Sequence, residues 1–515
     1  MNSNPSRPPR SWRIFWSRLG GGSLAFSLFV HAVVIALAAL IIQSSWQERN
    51  VSFLPGSQGE SRSQAAQQAT ESVRVHSHER LAKSSPMRRI VSVDHSSLAL
   101  PELPADLAEP SPLGLASGMT TGPRMHDLGK GASMGGNFEG VHNLPGATFS
   151  DNHFRGRCGG TQDRLTKLRA NGGNNQCEQA VSRSLQWLKE HQNGDGSWGR
   201  THPGAMTGLA LLTYLGRCET PESDFYGENV TKGIQYLIEL AAKNTYGIFS
   251  GNPMDHAASY DHGIGTYALG EMYAMARMGS TALPGMREAF EKGVQVIIEN
   301  QLPDGGWGYG DSFCYRKMGP GDLSVTGWQY QALKAADYSH LKTKGLSTAI
   351  ERAVKYLASR QTKDGGFGNA DREQGYNQWN LTGTALLGLQ TLGHGKHPAE
   401  IRKGLRFAHA FFTQEPPSWT TNANLYTWYY YAQTFFQSGG DTWKQWNDAV
   451  LPELLSHQKP DGSWQDETFN SQIGSTAAAG ADRPVYRTVL CTLMLEVYFR
   501  YLRVGDREGE SIFQK

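Results

Sequence analysis

The chain has 515 residues, enough for one large domain with extensions or for two or three average ones. Its 49 Lys and Arg against 47 Asp and Glu leave a net charge of +2, and no basic stripe is visible, which argues against nucleic acid as a partner. Cys158, Cys177, Cys218, Cys314 and Cys491 form no C-x-x-C pair, so neither a zinc knuckle nor a dense disulfide framework is supported; one or two disulfides are compatible with them.

In chain order, a basic segment over 1–22, with Arg7, Arg10, Arg13 and Arg18, comes first. "SLAFSLFVHAVVIALAALII" follows and predicts a transmembrane helix over 23–43. At about 1.5 Å per residue it spans the roughly 30 Å hydrocarbon core. The positive-inside rule then leaves the N-terminus in the cytoplasm and exports the rest, so the protein is expected as a single-pass inner-membrane protein facing the envelope. A cleaved signal peptide is the rival reading, but its apolar region is normally shorter and no A-x-A site follows. Ser27 and His31 stand one helical turn apart. That S-x-x-x-H spacing resembles the anchor of TonB-type energy transducers and implies a TonB-like motor partner; the plain alternative is a neutral histidine bonded within its own helix.

Residues 44–160 are rich in Ser, Gln, Ala, Pro and Gly and lack any sustained period. They cannot bury enough apolar surface to offset chain entropy, so a linker is expected. From 161 to 505 a motif recurs. "HQNGDGSWG", "NQLPDGGWG", "RQTKDGGFG" and "HQKPDGSWQ" all fit Q-x-x-D-G-x-W/F, giving Gln192, Asp195, Trp198; Gln301, Asp304, Trp307; Gln361, Asp364, Phe367; and Gln458, Asp461, Trp464. "TQEPPSW" and "NTYGIFSG" are degenerate copies, and the six aromatic markers lie 45 to 60 residues apart. An amphipathic helical run precedes each copy and a more apolar run follows it. This predicts an all-α (α/α)6 toroid of six inner and six outer helices, with a polar tail over 506–515. The motif itself reads as a helix stop: Gly for positive φ, Asp for the turn, Gln for orphan carbonyls, the aromatic as a cover.

The repeat resembles the QW repeat of squalene and oxidosqualene cyclases, and the helix alternation is shared with protein prenyltransferase β subunits. "FRGRCGGTQDRLTKLRANGGNNQCEQAVSRSLQWLKEHQNGDGSWG" resembles the entry to the toroid in membrane-anchored squalene-cyclase-like bacterial repeat proteins. The resemblance implies structural clamps, so four equivalent aspartates are turn residues. The cyclases protonate substrate with a D-x-D-D aspartate; here no two aspartates lie closer than five residues, which speaks against ordinary squalene cyclisation. "GDSFCYRK" puts two residues between Asp311 and Cys314 where the prenyltransferase zinc pattern has one. Cys177 and Gln179 are two apart, not the three of a thioester. No metal or cofactor is expected. Carbohydrate-active toroids need a carboxylate pair or a neutraliser with a base, which a sequence cannot measure.

Asymmetry marks the candidate site. "NPMDHAASYDHGIGTYALGEMY" holds Asp261 and His262 where an inner helix begins. They are either cap and core residues or a general acid/base pair. Thr326, Trp328, Tyr426, Trp428 and Tyr430 are candidate cavity residues, with helix packing as the alternative. The expected function is a membrane-anchored module that binds an apolar or extended ligand in its central cavity: an isoprenoid, lipid, glycan or peptide. The alternative is a divergent toroid enzyme, isoprenoid-modifying or carbohydrate-active, that uses Asp261 and His262.

Overall fold

The computed structural model describes residues 153–154, 156–277, 282–310, 319–369, 378–464 and 480–503. The predicted membrane segment with Ser27 and His31, the linker up to residue 152, Asp311 with Cys314, and the tail lie outside them. Among the described residues no helix is long and apolar enough to cross a membrane.

The helices in chain order are α1 (Gly160–Ala170), α2 (Asn175–Glu190), α3 (Pro203–Gly216), α4 (Gly227–Ala242), α5 (Ala258–Arg277), α6 (Met286–Glu299) and α7 (Leu323–Tyr338). They continue as α8 (Leu346–Ser359), α9 (Gln378–Leu392), α10 (Pro398–Gln414), α11 (Leu425–Ser438), α12 (Gly440–Ser456), α13 (Arg483–Leu495) and α14 (Val497–Arg500). Helix α3 packs on α5, α5 on α7, α7 on α9, α9 on α11 and α11 on α13, and α13 returns to α3. The even helices α2 to α12 lie outside, and α12 touches α2 across the same seam. The fold is therefore a closed (α/α)6 toroid.

Composition explains which helix goes where. Every residue of α3, "PGAMTGLALLTYLG", is buried, as a helix with no polar face must be. At Gly208 a side chain would strike the backbone of Ile264, so this glycine sets the close approach of α3 to α5. Outer helix α8 buries Leu346, Ala349, Ile350, Ala353, Val354 and Leu357, one stripe at helical spacing.

The recurring turn ties one outer helix to the next. Nε2 of Gln192 donates to Gly196 O (2.8 Å) and to Asn229 O of α4 (3.0 Å). Gln301 does the same to Gly305 O and Ala349 O, Gln361 to Gly365 O and Glu400 O, and Gln458 to Gly462 O and Ala180 O. The four glycines have φ between +90° and +108°, and a Cβ on any of them would strike a carbonyl of the following outer helix. Asp195, Asp304 and Asp461 each accept a backbone N–H two residues on. Asp364 accepts from the side chains of Thr362 and Gln378. Indole Nε1 of Trp198, Trp307 and Trp464 donates to Leu188 O, Ile297 O and Leu454 O, sealing the C-terminal end of the preceding helix.

The two faces of the toroid differ. Connections from outer to inner helices run over 191–202, 243–257, 300–322, 360–377, 415–424 and 457–482. Those from inner to outer run over 217–226, 278–285, 339–345, 393–397 and the single residue Gly439. The described residues of the first set lie at the inner-helix N-termini, the mouth; those of the second lie at the opposite face, the base. Against the base lie α1 and a strap that composition assigns to the linker: His153, Phe154 and Arg157 are buried there. Cys158 of the strap is disulfide-bonded to Cys218 at the end of α3, and Cys177 and Cys491 are free and buried.

Candidate functional site

The mouth gathers six inner-helix N-termini, each with N–H groups that have no partner within the helix and a positive dipole end. Neighbouring side chains answer them. Asp482, at the start of α13, accepts from the backbone N–H of Arg200, Thr201 (3.0 Å) and His202 (2.7 Å), just before α3. Asp322 caps its own helix through Ser324 N (2.7 Å) and Val325 N (3.2 Å), and accepts from Asn369 Nδ2 (2.6 Å). Asn369 Oδ1 takes Leu323 N (2.8 Å). Asn424 accepts from Thr427 N (3.2 Å) and donates to Asn380 Oδ1 (3.0 Å). Each such cap stabilises its helix by about 1 kcal/mol. The result is a polar belt that links successive repeats.

Asp261 belongs to this belt, but it serves a neighbour. It sits in the first turn of α5, and its carboxylate accepts Ala205 N of α3 (3.0 Å) and Ser250 Oγ (2.9 Å). Its imidazole neighbour is His202, with Nδ1 at 3.8 Å, not His262. Burial raises the Asp261 carboxyl above its ordinary value, partly offset by His202. Burial opposes charge on His202, yet its bond and attraction to Asp261, with Asp255 and Asp482 adding, raise it to about 9. The pair therefore holds a proton at neutral pH.

His262 has a different task. Its Nδ1 accepts Phe249 N (3.3 Å) and its Nε2 faces Gly293 O (3.0 Å). This assigns the proton to Nε2. In four other repeats the N–H of the motif aromatic goes to an inner-helix threonine: Trp198 to Thr207, Trp307 to Thr326, Phe367 to Thr382 and Trp464 to Thr488. His262 thus stands in for that threonine in the degenerate second repeat. Burial lowers its pKa to about 4, so it is held neutral.

The remaining candidates are packed. A side chain that lines a void wide enough for water keeps accessible area, whereas Thr326, Trp328, Tyr426, Trp428 and Tyr430 are at most 2% exposed. Thr326 is spent on Trp307. Trp328 stacks on Tyr429 (5.6 Å between centroids, 18° between planes) and meets Tyr430 edge-on, with Tyr426 4.9 Å from Tyr430. Trp428 lies apart, against Trp419 of the degenerate fifth motif. Among the described residues a hollow of about 250 Å³ lies elsewhere, between α10 and α12, lined by His409, Phe412, Pro416, Pro417 and Trp446. No group of three His, Cys, Asp or Glu among the described residues is placed to hold a metal.

Sequence reasoning missed a second polar centre near the base. Glu271 of α5 accepts from Arg157 Nη1 (2.8 Å) and Arg500 Nη2 (2.9 Å), all three buried. Burial alone would raise the Glu271 carboxyl, but the two arginines win and hold it well below the usual range. Burial pushes nearby Glu496 well above it despite Arg500. The available signal was Glu271 itself, the one acid in "HGIGTYALGEMYAMARM".

Fold and site thus define an (α/α)6 toroid with a polar mouth and a charged base centre. No family model matches the chain. It is 22% identical over 230 residues to a probable squalene–hopene cyclase of Sinorhizobium fredii, a match covering 39% of this chain and 32% of that protein, so it spans about a third of the relative's length. Among solved structures, a variant of the type II terpene cyclase MstE from Scytonema, in complex with geranylgeranyl dihydroxybenzoate, is similar at a TM-score of 0.41 and 15% identity, over 64% of this chain and 98% of that one. The GH76A α-1,6-mannanase of Salegentibacter is similar at a TM-score of 0.46 and 11% identity, over 62% and 98%.

Proposed function

We propose that the chain is a membrane-anchored, N-in protein whose exported toroid binds an apolar or extended ligand at its mouth, the entrance to its centre. The observation that carries this is the asymmetry of the connections. Among the fully described connections, those that lead into inner helices (191–202, 243–257 and 415–424) are longer on the whole than those that leave them (217–226, 339–345, 393–397 and Gly439), and binding residues concentrate on loops held by a rigid scaffold. A disulfide between Cys158 and Cys218 suits an oxidising compartment, in keeping with export. The repeat and the partial cyclase relative favour an apolar ligand such as an isoprenoid or lipid, while a glycan or peptide fits the same face. The missing D-x-D-D favours holding over cyclising.

The test is capture from lipid and glycan extracts by the full-length protein in detergent, with mass-spectrometric identification. Met254, exposed in the 243–257 connection, and Tyr309, partly exposed in 300–322 and stacked on His256, lie at the mouth, so Tyr309→Ala with Met254→Ser should lose the enriched species. No enrichment over bare resin, or equal capture by the variant, refutes the reading. Protease added to spheroplasts should digest the toroid; protection there refutes export.

A second reading, a divergent enzyme, is favoured by the buried Asp261–His202 pair, with His202 taking the place first given to His262. It requires time-dependent chemical change of the captured species that Asp261→Asn abolishes while the fold persists.

A further inference from the structure

Residues 153–154 and 156–158 close the base beside the buried centre. Arg157 enters fully: Nη1 reaches Glu271 (2.8 Å), Nε donates to Arg500 O (2.9 Å), and Nη2 meets His153 Nε2 (2.9 Å). Its guanidinium lies 5.0 Å from the Phe154 ring and 5.9 Å from that of Tyr501. His153 packs edge-on to Tyr338 at the end of α7. Lys334 is also buried here, 5.8 Å from the Tyr267 ring and 6.0 Å from that of Tyr501. The site therefore sets two arginines, Arg157 and Arg500, on one carboxylate, Glu271, with the buried Lys334 sharing the Tyr501 ring with them. Moved into water, Arg157 would recover hydration that offsets part of what these bonds supply.

Arg157 is also held covalently, through its neighbour. Cys158, the next residue, is bonded to Cys218. Both cysteines are partly exposed, so a thiol can reach them. Cys218 has φ +62°, a left-handed conformation that a cysteine adopts at a cost. Exposed or strained disulfides are the labile ones. Directly after Cys158 come exposed Gly159 and Gly160, the latter at φ +85° with open space around it. A glycine pair thus stands where the strap runs into α1, whose first residue is Gly160, with the backbone freedom a hinge needs.

We propose that the strap is a redox-held plug: reduction of Cys158–Cys218 lets it swing about Gly159–Gly160, withdraw Arg157 and open the centre around Glu271, Arg500 and Lys334 to solvent. A dithiol supplies the two electrons and two protons. The S–S bond breaks, two thiols form on Cys158 and Cys218, and the dithiol closes to its own disulfide. Glu271 keeps Arg500 when Arg157 leaves, so the toroid persists.

The full-length chain in detergent is treated with dithiothreitol, alkylated, and followed by hydrogen exchange and limited trypsin digestion. Cys158 and Cys218 should alkylate while buried Cys177 and Cys491 do not. Exchange over 153–158 should rise on the order of tenfold or more, with cleavage at Arg157, while the inner helices keep their protection. Cys158→Ser with Cys218→Ser should show the open pattern without reductant. The proposal is overturned if the disulfide resists reduction in the folded protein, if the strap stays protected once both thiols are alkylated, or if Cys177 and Cys491 label because the whole toroid unfolds.

Discussion

Closure of the toroid can be tested at one side chain. Gln458 belongs to the last motif, yet its Nε2 donates to Ala180 O of the first outer helix (2.8 Å) as well as to Gly462 O (3.0 Å), and its Oε1 accepts from Arg183 Nε (3.1 Å). Gln301 makes the same two Nε2 bonds inside the array, to Gly305 O (2.8 Å) and Ala349 O (2.9 Å). Replacing either by Ala removes these two Nε2 bonds and leaves two carbonyls without that donor; Gln458→Ala also releases Arg183, which is half-buried and within reach of water. At about 0.5–1.5 kcal/mol net per bond, each substitution should cost about 1–3 kcal/mol. Buried Gln301 belongs at the upper end and half-buried Gln458 at the lower. Urea unfolding measures this as a lowered midpoint at unchanged slope. In an open array Gln458 would have no following helix to hold. A Gln458→Ala change within about 0.5 kcal/mol of zero, beside a full loss for Gln301→Ala, would refute a closed seam.

Other consequences follow from the same geometry. Thr326→Val keeps the shape but strands the buried Trp307 N–H, so it should cost about 1–3 kcal/mol in urea unfolding and leave ligand capture untouched; the reverse result would make Thr326 a ligand residue. His262 titrates at about 4 in the folded chain and near 6.5 when unfolded, so only the unfolded chain takes up the proton between them. Stability should be full above that window and fall by up to about 3 kcal/mol as pH drops through it, a loss that His262→Gln should flatten. Glu271 serves two arginines whereas Arg157 leaves Glu271 still paired, so Glu271→Gln should cost about 3–5 kcal/mol and Arg157→Met clearly less. Equal losses in thermal or urea unfolding would show that Arg500 does not hold Glu271 alone.

The repeat was legible because its physics is local. Gln, Asp, Gly and the aromatic lie within seven residues and act on one helix end, so their spacing survives in the sequence. The partner of the aromatic N–H was not legible. It is a lone threonine 9 residues downstream in the Trp198 repeat and 24 in the Trp464 repeat. That variable offset hid the equivalence of His262 with Thr207 and Thr326. Asp261 was placed correctly at a helix start, but which helix it caps depends on how neighbours pack. Arg157, Glu271 and Arg500 meet across separations of 114 and 229 residues, beyond any local pattern.

The seam where α13 meets α3 also bears on how such a chain can change over time. An open stack can gain or lose a unit at either end and only shift its boundary. Here the Gln458–Ala180 and Asp482–Thr201 bonds join the last unit to the first, so one unit more or fewer would leave no place for them. Copy number is therefore fixed by geometry. The single residue Gly439 between α11 and α12 leaves the base equally little slack. Novelty in length has one outlet, the connections on the mouth side, and these can diversify while the scaffold beneath them stays the same.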